Sequence, residues 1–196
     1  LSGVVCDTFN MISVDGDTST NDMVCIMANG MADNELIDCE NDGYEPFCDA
    51  LMKVSVKLSK LIAGDGEGAQ RLLECTVKGA PTVKIAKDIA KSIICSSLVK
   101  TAMFGADANW GRIICAMGYS KAPFRPEYVD IGFASAAGEI LVCEQGAAVA
   151  FDEEVAGDSF MHRGSRYVMC DPTYINATIG QTMPCYAASP GVIVAL

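Results

Sequence analysis

The sequence predicts an α+β domain, and three observations carry that expectation. Helical periodicity is confined to a central stretch, strand-like segments lie on both sides of it, and no regular strand–helix alternation runs through the chain. Helices gathered between two groups of strands favour a layered α+β arrangement over a doubly wound parallel sheet. At 196 residues, 51% of them hydrophobic, the chain can bury a sizeable core.

The elements follow in chain order. Residues 4–22 alternate apolar and polar positions through Phe9, Met11 and Val14, which reads as a strand running into a polar loop. Met23 to Met27 is a short apolar run, also strand-like, closed by Asn29-Gly30. Residues 33–45 are acidic and loop-like, with a turn at Asn41-Asp42-Gly43. From Phe47 the period changes: Phe47, Leu51, Val54, Leu58, Leu61 and Ile62 fall on one helical face, and Gly64 is a natural stop. Arg71 to Lys78 reads as a strand. A second helix places Val83, Ala86, Ile89, Ala90, Ile93 and Ile94 on one face. A third starts after Asp107, which can cap it, and runs through Trp110, Ile113 and Ile114. Strands resume at Val129 to Phe133 and Glu139 to Cys143, and Gln145-Gly146 suggests a hairpin. The last forty residues hold β-like "YVMC" and "GVIVAL" between Pro and Gly breaks.

Composition excludes several functions. With 14 Lys and Arg against 25 Asp and Glu the formal charge is −11, which opposes binding to nucleic-acid phosphates. No apolar run approaches a bilayer span, so no membrane partner is expected. No export signal is visible, which points to the cytoplasm; the chain begins at Leu1 rather than Met and reads as part of a longer working molecule. The ten cysteines lack metal-ligand spacing, and His162 is the single histidine. Cys25, Cys95, Cys115 and Cys143 sit in apolar contexts that suit reduced, buried thiols. A lone histidine in a polar segment also counts against Ser-His-Asp or Cys-His catalysis.

Three motifs are candidates for chemistry. In "VDGDTSTND", residues 14–22, Thr20 and Ile26 stand where a calcium loop needs its Gly and Glu. Asp15 as nucleophile and Asp17 as general acid would suit a magnesium-dependent phosphotransferase. The plainer reading is a loop whose side chains bond to its own backbone. "GDGEGA", residues 64–69, sets Glu67 between glycines just past a helix, where a carboxylate can meet a cationic group; the alternative is an exposed helix-ending turn. In "KTAMFGADANWGRI", residues 100–113, Trp110 reads as core, and Asp107 and Arg112 as a cap or structural pair.

In this order and spacing, "FNMISVDGDTSTND", "GDGEGAQR" and "KTAMFGADANWGRI" resemble the β subunit of ornithine acetyltransferase, the bifunctional ArgJ family. "ANGM", "VKGA", "GYS" and "FDEE" add matches, and the resemblance covers residues 4–156. It implies a layered αββα sandwich completed by an α subunit. Residues 1–156 would form the family-like core and 157–196 a divergent C-terminal segment of the same domain. It also implies transfer of acetyl from N-acetyl-L-ornithine to L-glutamate through an acyl-enzyme on an N-terminal threonine, with acetyl-CoA a further possible donor. The expected assembly is α2β2, with no metal or organic cofactor.

Carried over by residue, the resemblance makes Glu67 a substrate contact, a buried carboxylate answering an ammonium group. Asn176 in "CDPTYINAT" is the second substrate contact. The family's nucleophile lies upstream of the "TFN" segment and its oxyanion Thr-Gly pair on the α subunit, so no catalytic residue is assigned here. Arg71 replaces the lysine that usually follows the Glu motif. Two alternatives remain: the Asp15/Asp17 phosphotransferase, and a non-catalytic structural subunit with the same fold.

Overall fold

The computed structural model describes residues 1–40, 42–69, 72–135, 138–152, 166–172 and 192–195. A six-stranded mixed sheet forms its centre, in the order β4-β3-β2-β5-β1-β6. The strands are β1 (Leu72–Val77), β2 (Val129–Ser135), β3 (Gly138–Glu144), β4 (Ala147–Ala148), β5 (Arg166–Pro172) and β6 (Val192–Ala195). Strands β1 and β5 pair in parallel, while β1–β6, β2–β5, β2–β3 and β3–β4 are antiparallel. The α+β class is therefore as the sequence predicts.

Among the described residues, five α-helices accompany the sheet: α1 (Ser2–Asp7), α2 (Tyr44–Gly64), α3 (Val83–Cys95), α4 (Ser97–Phe104) and α5 (Trp110–Tyr119). Helix α3 forms for reasons readable in its sequence. The Thr82 side chain caps it by accepting from the Ile85 amide at 3.2 Å. Ala86, Ile89, Ala90, Ile93 and Ile94, three and four apart, are its buried face. That face meets Leu73, Cys75 and Val77, alternate residues of β1, in a core that also takes Met103, Ile113, Met117, Val129, Ile131 and Phe133. The β3–β4 hairpin turns on Gln145 and Gly146, both at positive φ (47° and 73°), the conformation a two-residue type I′ connection requires.

Several elements differ from the sequence expectation. Residues 2–11 are not a strand: α1 is followed by a 3-10 turn at Phe9–Met11, and Thr8 Oγ1 donates to the Val4 carbonyl at 2.6 Å. The reason lies in neighbouring lysines, which hold this segment against the helices rather than in a ladder. Lys87 pairs with Asp7, Lys91 Nζ donates at 2.9 Å to the carbonyls of both Asn10 and Ile12, and Lys100 Nζ donates to that of Val14. Met23 to Met27 joins no strand of the sheet. Helix α4, absent from the sequence expectation, is capped by the Ser96 side chain, which accepts from the Val99 amide.

Helix α2 has the predicted extent but the opposite orientation. Its buried residues are Ser55, Ser59 and Ala63, whereas Phe47, Val54, Leu58, Leu61 and Ile62 are between 45% and 58% exposed. Small residues at i, i+4 and i+8 let the helix sit close to β1 and β6, and its large apolar side chains stay half exposed beside Leu1, Phe9 and residues 24–27.

Candidate functional site

The glutamate motif lies between two anchored elements. Helix α2 closes at Gly64, where the Asp65 amide donates to the Leu61 and Ile62 carbonyls at 3.0 and 3.3 Å. The next turn is joined by Ala69 N–H donating to the Gly66 carbonyl at 2.9 Å. Gly68, its third residue, has φ +72°, which a type II turn demands and glycine supplies without a Cβ penalty. Glu67 stands at the second position, and β1 begins at Leu72. An ion pair ties the two flanking elements: Lys60 Nζ of α2 reaches Glu74 Oε1 and Oε2 of β1 at 2.9 and 2.7 Å. Glu74 is buried, its side chain only 8% exposed.

Glu67 itself is exposed, where the resemblance implies a buried carboxylate. Its turn projects from the end of a helix, and nothing among the described residues folds over it. Asn176 lies outside the described residues, as do His162 and Arg71.

The Asp15–Asn21 loop takes its plainer form. Asp15 Oδ1 accepts from the Asp17 amide at 2.8 Å, and Ser19 Oγ accepts from the Asn21 amide at 3.1 Å. Both aspartates are exposed. Their side chains organise a loop that the lysines of α3 and α4 hold in place through residues 7–14. Among the described residues, no three His, Cys, Asp or Glu side chains cluster to hold a metal ion.

The Trp110 segment is a structural joint. Asn109, not Asp107, caps α5, its Oδ1 accepting from the Arg112 amide at 3.2 Å; Asp107 Oδ2 accepts from Asn109 Nδ2 at 3.1 Å. Arg112 Nη1 donates to the Leu98 carbonyl at 3.0 Å and to Thr101 Oγ1 at 3.2 Å, locking α5 to α4. Trp110 packs against the core. Sequence reasoning passed over Lys60, Glu74, Lys87, Lys91 and Lys100. Their pairing is long-range, and only Glu74, a charge inside a predicted strand, carried a signal.

Among the described residues, eight cysteines are free thiols, and their burial departs from expectation. Cys75 and Cys143 are buried, whereas Cys25, Cys95 and Cys115 are exposed. Cys25 belongs to the segment that never enters the sheet. Cys95 ends α3 and donates to Ser13 Oγ at 3.3 Å. Among the described residues, no helix is long and apolar enough to cross a membrane.

Comparison with known proteins places these elements in a family. The ArgJ family model matches residues 1–171. Arginine biosynthesis bifunctional protein ArgJ 1 of Clostridium acetobutylicum is 55% identical over 152 residues, 78% of this chain and 37% of that protein. The ArgJ protein of Thermotoga neapolitana is 52% identical over 152 residues, again 78% of this chain and 38% of its own length. The chain thus spans little more than a third of these relatives. The crystal structure of the ArgJ protein from Bacillus halodurans superposes with a TM-score of 0.83 at 43% identity, covering 89% of this chain and 80% of that one. On its sequence and its α+β fold alike, the chain belongs to the ArgJ family.

Proposed function

We propose that this chain is the β portion of a glutamate N-acetyltransferase that uses N-acetyl-L-ornithine as donor and acts in arginine biosynthesis. The observation that carries the reading is the family match across residues 1–171, which includes the Gly-flanked Glu67 turn. In this reading residues 1–156 are the family core and 157–196 a divergent C-terminal part of the same domain. An α subunit of the same precursor completes an αββα sandwich as α2β2, and the assembly works in the cytoplasm.

The chemistry is a double displacement. A threonine hydroxyl outside these 196 residues attacks the acetyl carbonyl of N-acetylornithine, so a C–O ester bond forms as the amide C–N bond breaks and the departing amine takes the proton. The α-amine of glutamate then attacks the ester, forming the new amide and returning the hydroxyl. Amide donors on the α subunit stabilise the tetrahedral oxyanion at each stage.

This chain contributes positioning. Glu67, exposed here, is closed over by the companion polypeptide and answers the substrate ammonium; Asn176 is the second contact. The Lys60–Glu74 pair fixes both ends of the segment that carries Glu67, so a rigid helix and strand locate the carboxylate. The test is reconstitution with the complementary part of an ArgJ relative, followed by assay of acetyl transfer from N-acetylornithine to glutamate. Saturable turnover supports the reading, and a well-formed complex without turnover refutes it.

A further inference from the structure

A cavity of about 550 Å³, a size that suits a small ligand, lies between the start of α5 and the chain that follows β4. One wall is the turn between α4 and α5. Ala106 takes φ +59° there, a conformation that a residue with a Cβ seldom adopts, and the Asp107 amide holds the turn by donating to the Ala102 carbonyl at 2.9 Å. The other wall is residues 148–151, anchored where the Val149 amide donates to the Val142 carbonyl at 3.2 Å. Two aromatic residues, Trp110 and Phe151, line the space, and Asp107 is the one charged residue among its described walls. Asp107 Oδ2 accepts from Asn109 Nδ2 at 3.1 Å, while Oδ1 has no partner among the described residues. Asn109 Oδ1 is committed to the Arg112 amide, and the Arg112 side chain to α4, so no cation of the chain answers the carboxylate within the cavity.

We propose that this cavity binds a small organic cation, an alkylammonium or alkylguanidinium group on a short apolar stem. The charge pairs with Asp107 Oδ1, and the rings of Trp110 and Phe151 attract the same charge through their quadrupoles. The methyl groups of Ala148 and Ala150 receive the stem. An anion would meet a carboxylate with no cation lining the same space, and a neutral ligand would forgo both attractions. The formal charge of −11 sets a field of the same preference. None of the walls comes from residues 64–69, so this cation site is separate from the Glu67 turn. The inference goes beyond the acetyl-transfer reading and does not depend on it.

Trp110 is the single tryptophan of the chain, so its fluorescence reports on this cavity directly. The full chain is titrated at low ionic strength with n-butylguanidinium, n-butylammonium, n-butanol and butyrate. The two cations should change the emission saturably, and the neutral and anionic probes should not. Asp107→Asn keeps an acceptor for Asn109 Nδ2 and leaves the Asn109 cap of α5 in place. It should weaken binding of both cations roughly fivefold or more, whereas Glu67→Gln should bind them as the wild type does. Calorimetry of the unaltered chain with the same probes should give the same ranking, a readout that depends on no variant. Absence of saturable binding by either cation, equal binding of butanol or butyrate, or wild-type affinity in Asp107→Asn overturns the proposal. Loss of cation binding in Glu67→Gln also overturns it, because the charge would then be held at the Glu67 turn. Binding is read without turnover, so a chain that takes the cations but supports no acetyl transfer upholds the inference while the acyl-transfer reading falls.

Discussion

Lys60 Nζ lies 2.9 and 2.7 Å from the two carboxylate oxygens of Glu74, and the pair bridges the helix and strand on either side of the Glu67 turn. The carboxylate is buried while the ammonium is about one-third exposed, so the two ends of the pair are unequal. Removing the lysine strands a charge in a poorly solvated place; removing both leaves two apolar stems that can pack.

Lys60→Met should therefore destabilise the chain by about 1–3 kcal/mol, and Lys60→Met/Glu74→Leu should recover much of that loss. Urea denaturation of both variants checks the order. A double variant less stable than Lys60→Met would show that the pair is not the source.

Gly68 carries the positive φ of the Glu67 turn and has open space where a Cβ would stand. The cost of Gly68→Ala is thus conformational, about 1 kcal/mol. In the reconstituted enzyme it should raise the substrate KM by shifting Glu67, while assembly survives. Unchanged KM would mean that the turn does not position a substrate contact.

Gly146 is more constrained. Its φ is +73°, and an added Cβ would stand 2.4 Å from the Pro126 carbonyl oxygen. Gly146→Ala meets strain and a backbone clash together and should cost about 2 kcal/mol or more, seen as a lower Tm. A Tm equal to wild type would contradict the hairpin geometry.

Glu127 is held below the usual carboxylate range, first by its own backbone amide and then by the Arg125 side chain, which donates to Oε1 at 2.8 Å. A depressed folded pKa means that the interaction is present above the unfolded carboxylate's pKa and is lost as pH falls through the folded value. An NMR titration should find the Glu127 midpoint low, and Arg125→Ala should move it part of the way back up. A midpoint indifferent to Arg125→Ala would leave the backbone amide as the sole cause.

Elements with local signals were legible in the sequence. The period of α3 and the Gln145-Gly146 hairpin both appear where the pattern places them. Orientation was not legible for α2, because periodicity shows which face is apolar but not whether the chain contains anything to cover it. Residues 2–11 were misread for a related reason. Alternation at Phe9, Met11 and Val14 fits a strand, but lysines some eighty residues later in the chain hold the segment beside the helices. For α5 the expected cap was Asp107, but the helix begins at Trp110 and Asn109 caps it. Glu67 was singled out by its glycine flanks, while the ion pair that fixes its turn joins residues fourteen apart, beyond any helical spacing.

The most direct test of the central claim is a Glu67→Gln variant of the reconstituted complex, assayed for acetyl transfer from N-acetylornithine to glutamate. A neutral amide answers an ammonium poorly, so the KM for substrate should rise several-fold while the complex is recovered intact. Kinetics identical to wild type in an intact complex would contradict the assignment of Glu67, and with it the role given to this chain.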